Sequence, residues 1–136
     1  FEAVYIDLAA TYASLSDLSP ALAVLRDAEK RWPKDPEIHN AIGVIHFRRG
    51  ALDEAVDAFS QATTVAPTDA LAYLNLGRAY ELRFNRSRRY VTSQRRWLVD
   101  EGDRRKAAES YEAYLKLGGP YEQSARDGLQ RLEWSK

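Results

Sequence analysis

The 136-residue sequence predicts an all-α fold, a solenoid of antiparallel helix hairpins closed by one further helix. Three observations carry that prediction. Small, large apolar and proline residues recur at a fixed spacing of 34. Apolar residues within each unit follow helical periodicity. Prolines stand where the second helix of a unit has to stop.

Internal recurrence decides the architecture before any single element does. Pro33 and Pro67 are 34 residues apart, as are Gly43 and Gly77, with Ala9 a further 34 before Gly43. Ala21 pairs in this way with Ala55, Ala28 with Ala62, and Leu25 with Phe59. Leu8, Ile42 and Leu76 form one more series, and Tyr12, His46 and Tyr80 another.

The first helix, Glu2 to Ser14, carries Tyr5, Leu8, Ala9 and Tyr12 on one stripe. The second, Leu18 to Trp32, carries Leu18, Leu22, Leu25 and Ala28. The next unit repeats this with Ile38, Ile42 and Ile45, then Leu52, Ala55, Phe59 and Ala62. The small residues mark close helix crossings: Gly43 inside a helix costs about 1 kcal/mol against Ala, which tight packing has to offset. Pro33 and Pro67 end the second helices. A lone hairpin buries only part of its apolar surface, so such units stack in series.

The third unit begins regularly, Ala70 to about Arg83, with Tyr73, Leu76, Gly77 and Tyr80. Its second helix is displaced. The small residue due at position 89 reappears as Ala107, with Tyr111 standing for Phe59 and Tyr114 for Ala62, so 18 residues are inserted between the two helices. After Gly118, Gly119 and Pro120 comes a last helix, Tyr121 to about Trp134. Its Tyr121, Ala125, Leu129 and Leu132 share a face and its other face is polar. It reads as a capping helix or as the first helix of a truncated fourth unit.

At 34 residues per unit the chain resembles the tetratricopeptide repeat family. The resemblance covers 2–82 and 102–119 and leaves out about 84–101. It implies a single domain spanning 1–136, with repeats at about 2–35, 36–69 and 70–119, the insertion at about 84–101 and the cap at about 120–134. It also implies a right-handed superhelix whose first helices line a concave groove holding a peptide or protein segment. The family's contact positions fall here on Ala3, Ile6, Ala10, Ala13 and Ser14, then on Glu37, Asn40, Val44, Phe47 and Arg48, then on Leu71, Leu74, Arg78, Glu81 and Leu82. Most are apolar or small, which suits an extended or helical ligand with apolar side chains. The competing expectation is that a helix of the chain itself covers them. One subgroup of the family clamps the terminal carboxylate of chaperone tails with basic residues and asparagines. The matching positions here are Ile6, Ala10, Ala41, Leu71 and Asn75, none of them basic, so that function is not expected.

Nothing points to an enzyme. His39 and His46 are seven apart, about 10 Å along a helix, too far to share a metal. His46 occupies the position of Tyr12 and Tyr80, a packing site. No zinc, phosphate-loop or serine-nucleophile spacing occurs. Asp53, Glu54 and Asp103 stand near the starts of second helices, where carboxylates complement the dipole. Asn85-Arg86-Ser87 fits a glycosylation pattern, which is too short to be specific. No cofactor or metal is expected, and cysteine is absent, which excludes disulfides and thiolate sites. Twenty basic residues balance twenty acidic ones, so net charge does not favour a nucleic-acid partner. The chain reads as soluble, cytoplasmic or exported. It starts at Phe1 rather than Met, which reads as a fragment or processed product.

The neutral total conceals a polarised chain. Residues 83–106 hold nine basic side chains against three acidic ones. Arg83, Arg86, Arg88, Arg89, Arg95 and Arg96 include no lysine among them, and arginine favours bidentate contacts and ring stacking. A short amphipathic helix is expected over about 87–99. Tyr90, Val91, Gln94, Trp97 and Leu98 share an arc of about 120°, and Arg88, Arg89, Arg95 and Arg96 lie on another face. Its apolar face, with Tyr90 and Trp97, is expected to pack on the protein. The arginines then meet the protein's own acids, an acidic segment of a partner, or phosphate in nucleic acid or anionic lipid. The last weighs least, because the patch is small and no recognition motif accompanies it. The functional expectation is a protein-interaction scaffold, with self-assembly into a homo-oligomer as the other class.

Overall fold

The computed structural model describes residues 2–134 and is built almost wholly of helices. They are α1 (Glu2–Ser14), α2 (Leu18–Arg31), α3 (Pro36–Arg48), α4 (Leu52–Val65), α5 (Ala70–Ser87), α6 (Glu101–Leu117) and α7 (Glu122–Trp134). A two-stranded hairpin, β1 (Arg89–Val91) and β2 (Arg96–Leu98), stands between α5 and α6. Consecutive helices pack as hairpins, α1 on α2, α3 on α4 and α5 on α6, and each hairpin stacks on the next. The architecture is an all-α solenoid. Among the described residues no helix is long and apolar enough to cross a membrane.

The 34-residue series are the close crossings. Ala21, Ala28, Ala55, Ala62 and Ala107 are all fully buried. A Cβ at Gly43 would collide with the ring of Phe59, and one at Gly77 would stand 2.9 Å from the ring of Tyr111. The equivalent large residues of the second helices thus use the space that the missing side chains leave on the first. Aspartates start three helices: Asp35, Asp69 and Asp100 accept hydrogen bonds from the backbone N–H of Glu37, Ala72 and Asp103.

The core falls into two clusters. One holds Ala9, Ala13, Ala21, Leu25, Ala28, Ile38, Ile42 and Ile45 with Ala58 of α4. The other holds Ala55, Val56 and Phe59 of α4 with residues of α5, α6 and α7, including Leu74, Phe84, Tyr111 and Leu132. Tyr111 joins the last three helices. Its hydroxyl donates to Glu81 Oε1 at 2.7 Å, and Arg131 of α7 donates to both Glu81 oxygens at 2.8 and 2.9 Å.

The insertion corrects the helix expected over 87–99. First, α5 continues to Ser87, because no glycine or proline stops it and Phe84 is fully buried. The chain then forms an antiparallel hairpin pairing Arg89 with Leu98, Tyr90 with Trp97 and Val91 with Arg96. A 3-10 turn, Thr92–Gln94, closes it, with Arg95 left-handed at φ 51°. The chain goes out and returns in ten residues, which one helix cannot do, and Glu101 starts α6 back at the body.

Candidate functional site

The first helices α1, α3 and α5 and the last helix α7 pack in succession and form one face of the solenoid. On it, between α3 and α5, lies a cavity of about 150 Å³ lined by Val44, Phe47, Phe59, Asn75 and Arg78. A second, of about 260 Å³, adjoins it and shares Phe47 and Arg78. Val44 and Leu71 are exposed, Phe47 is half-buried, and Arg78 is exposed with no hydrogen bond or ion pair among the described residues. A wider depression of about 820 Å³ opens at the corner of α1 with the turn between α2 and α3. It is lined by turn residues such as Pro33 and Lys34 and lacks the enclosure that three helices give the α3–α5 cavity.

Of the groove positions, Ile6 is half-buried on the first core cluster, and Ala10 and Arg48 are exposed. Arg48 also has a structural partner, donating to the carbonyl of Ala13 at the end of α1 at 3.2 Å. Four residues are corrected. Ala13 is buried in the first core cluster, and Glu81 is buried under Tyr111 and Arg131; the other two are Leu74 and Asn40. Leu74 is fully buried in the second core cluster. Asn40 is buried and donates to Asp69 Oδ2 at 2.9 Å, tethering α3 to the start of α5. Both occupy the fifth position of their repeat, which faces the protein interior here rather than the groove. Asn75, one residue past Leu74, lines the cavity instead, a role the sequence reading did not give it.

The insertion arginines separate into groups. Arg83 belongs to the fold. Its Nε and Nη2 donate to the buried carboxylate of Asp103 at 2.8 and 2.7 Å, and its Nη1 to exposed Asp53 at 2.9 Å. The hydrogen bond to Asp103 holds the Arg83 guanidinium charged, well above its ordinary pKa. Arg86 reaches the carbonyl of Gly50 at 3.4 Å. Arg88 lies over Phe84 and Trp97, 5.8 and 5.1 Å from the ring centroids, and fastens the hairpin to the end of α5. Arg89, Arg95 and Arg96 are exposed and have no carboxylate partner among the described residues. The β register also separates the arginines expected on one helix face: Arg89 and Arg96 project opposite to Tyr90 and Trp97. Tyr90 and Trp97 do not pack under the body as expected. They stack edge to face on each other at 5.6 Å and stay 50% and 55% exposed.

Both histidines have contacts within the fold. His39 is buried with Nε2 2.7 Å from the carbonyl of Pro33, and His46 is buried beside Arg26. Among the described residues no three metal-ligating side chains converge.

This architecture is that of a helical-repeat solenoid. Residues 6–70 match the family model described as tetratricopeptide repeat. No curated protein matched. Solved structures share the fold over nearly the whole chain. The first tetratricopeptide repeat domain of Spaghetti (RPAP3), bound to the HSP90 peptide SRMEEVD, superposes with a TM-score of 0.79 at 17% identity, covering 98% of this chain and 91% of that one. The TPR2B domain of yeast Sti1, in a complex with pHsp70, gives 0.79 at 15% identity over 99% and 98%. The Sgt2 domain of Aspergillus fumigatus gives 0.76 at 18% identity over 98% and 78%.

Proposed function

We propose that the chain is a non-enzymatic protein-interaction scaffold that holds a peptide or protein segment in the groove between α3 and α5. On this reading residues 1–136 are one domain of three repeats, the third interrupted by an 18-residue insertion. The observation that carries the reading is Arg78. It is a cation with no ion-pair partner among the described residues, set beside an apolar cavity formed by Val44, Phe47 and Phe59. Such a site suits a segment with an apolar side chain next to a carboxylate. Of the domains that share the fold, that of RPAP3 is bound to an HSP90 peptide and that of Sti1 is in a complex with pHsp70. The positions of the terminal-carboxylate clamp hold Ile6, Ala10, Ala41, Leu71 and Asn75 here, so the occupant is of another kind.

The test is selection of binders from a random peptide library displayed on phage. Selected peptides should bind the wild type and lose at least tenfold in affinity to Phe47→Glu and to Arg78→Glu, with helicity unchanged. Equal binding to wild type and both variants sinks the groove assignment. Light scattering separates the alternative, in which this face joins copies of the chain: a concentration-dependent dimer that Phe47→Glu dissociates would replace peptide capture.

A further inference from the structure

We infer that the β1–β2 hairpin is a second interaction surface, separate from the groove, and that its partner is a short acidic protein segment. From Arg83 to Val99 the chain holds six arginines and no acidic residue. The fold uses Arg83, Arg86 and Arg88 for its own contacts. Among the described residues Arg89, Arg95 and Arg96 remain exposed without a carboxylate, and the hydrogen bond of Arg96 to Gln94 stays inside the hairpin. Neither strand packs substantially on anything but the other. The two faces of the hairpin therefore differ: one presents the half-exposed rings of Tyr90 and Trp97, the other Arg89 and Arg96, with Arg95 at the turn, none of the three with a carboxylate partner among the described residues. Trp, Tyr and Arg dominate binding energy at protein interfaces, and planar guanidinium groups pair bidentately with carboxylates.

Charge and shape select among polyanions. Outside 83–106 the chain carries a net charge of −6, which repels a long nucleic-acid strand crossing the hairpin onto the body. One pair of rings, with Trp97 already contacted by Arg88, makes a poor stacking platform for successive bases. A lipid surface needs apolar residues at the tip, but the tip is Thr92, Ser93, Gln94 and Arg95, with the rings set back from it. A compact acidic segment avoids all three difficulties. It wraps one edge of the hairpin, with carboxylates on the arginines of one face and an apolar side chain on the rings of the other.

The experiment is a chemical-shift titration of the full chain, with the Trp97 indole N–H identified by Trp97→Phe. The probe is a seven-residue peptide, Glu-Glu-Glu-Leu-Glu-Glu-Glu, with the all-Gln analogue as control. The acidic peptide should shift Trp97 and the hairpin amides, and the analogue should not. Arg89, Arg95 and Arg96 changed together to Gln, all exposed and outside the core, should weaken binding at least tenfold. Phe47→Glu, which probes the groove, should leave it unchanged. The inference is overturned if the acidic peptide leaves the hairpin unshifted at millimolar concentration, or if the triple variant binds it equally. It is also overturned if oligothymidylate or phosphatidylserine vesicles bind the hairpin more tightly than the peptide does.

Discussion

The ring of Tyr111 lies so close to Gly77 that a Cβ there would stand 2.9 Å from two ring carbons. Its other side lies against Gly128 of α7, where a Cβ would stand 2.5 Å from the ring, so α5 and α7 together hold it in place. Gly77→Ala gains about 1 kcal/mol in helix propensity but forces an overpacked contact of about 1–3 kcal/mol. The expected outcome is a lower urea midpoint with the slope unchanged. An increase would mean that the ring is free to move.

The two carboxylates on Arg83 are unequal. The side chain of Asp103 is only 6% exposed and that of Asp53 is 82% exposed. Arg83→Gln leaves the Asp103 charge buried without its partner and should cost about 2 kcal/mol. Asp53→Asn should cost less than about 1 kcal/mol. Comparable losses in urea denaturation would show that the exposed arm matters as much as the buried one.

His46 makes stability depend on pH. Its Nε2 lies 3.3 Å from Arg26 Nη2, and a guanidinium only donates, so Nε2 accepts. Burial and then Arg26 hold its pKa below the ordinary 6.5, with Arg49 reinforcing and Glu54 opposing. The unfolded chain then takes up a proton that the native ring refuses. This contribution is constant above about pH 7.5 and is lost as pH falls below the unfolded value. His46→Gln should flatten the slope of stability between about pH 7.5 and 5.5. An unchanged slope would assign it to another group.

Tyr114 controls the entry to α7. Its hydroxyl accepts from the backbone N–H of Tyr121 at 2.7 Å, one of the donors that a helix start leaves without a partner within the helix. Tyr114→Phe should cost about 1 kcal/mol and speed hydrogen exchange at Tyr121. Exchange at that amide unaltered by the substitution would show that water replaces the hydroxyl.

The helices and their crossings were legible because packing repeats. Ala9, Gly43 and Gly77 could be aligned by counting, and Phe59 and Tyr111 take the space beside the two glycines. Asp35 and Asp69 keep the same spacing and start α3 and α5, so the helix starts repeat as the crossings do. The groove was less legible. The family's fifth position assigned Asn40 and Leu74 to it, but burial at that position depends on how the next repeat stacks, which no single repeat encodes. The hairpin is hidden in the sequence for a local reason. Residues 88–99 contain no glycine or proline, so the left-handed turn residue is Arg95, which carries no turn signature. The composition did hold a β signal in Tyr90, Val91, Thr92, Trp97, Leu98 and Val99, which helical spacing of the same apolar residues obscured.

Helix α4 gives Ala58 to one core cluster and Ala55, Val56 and Phe59 to the other. Among the described residues it is the one helix whose buried apolar residues belong to both, so most of the apolar coupling between the two halves passes through it, supplemented by Phe47 and Asn40 of α3. Damage to α1 or α2 should loosen the first half while amides of α6 and α7 keep their protection. Damage to α4 should uncouple the halves, turning one unfolding transition into two that calorimetry resolves separately.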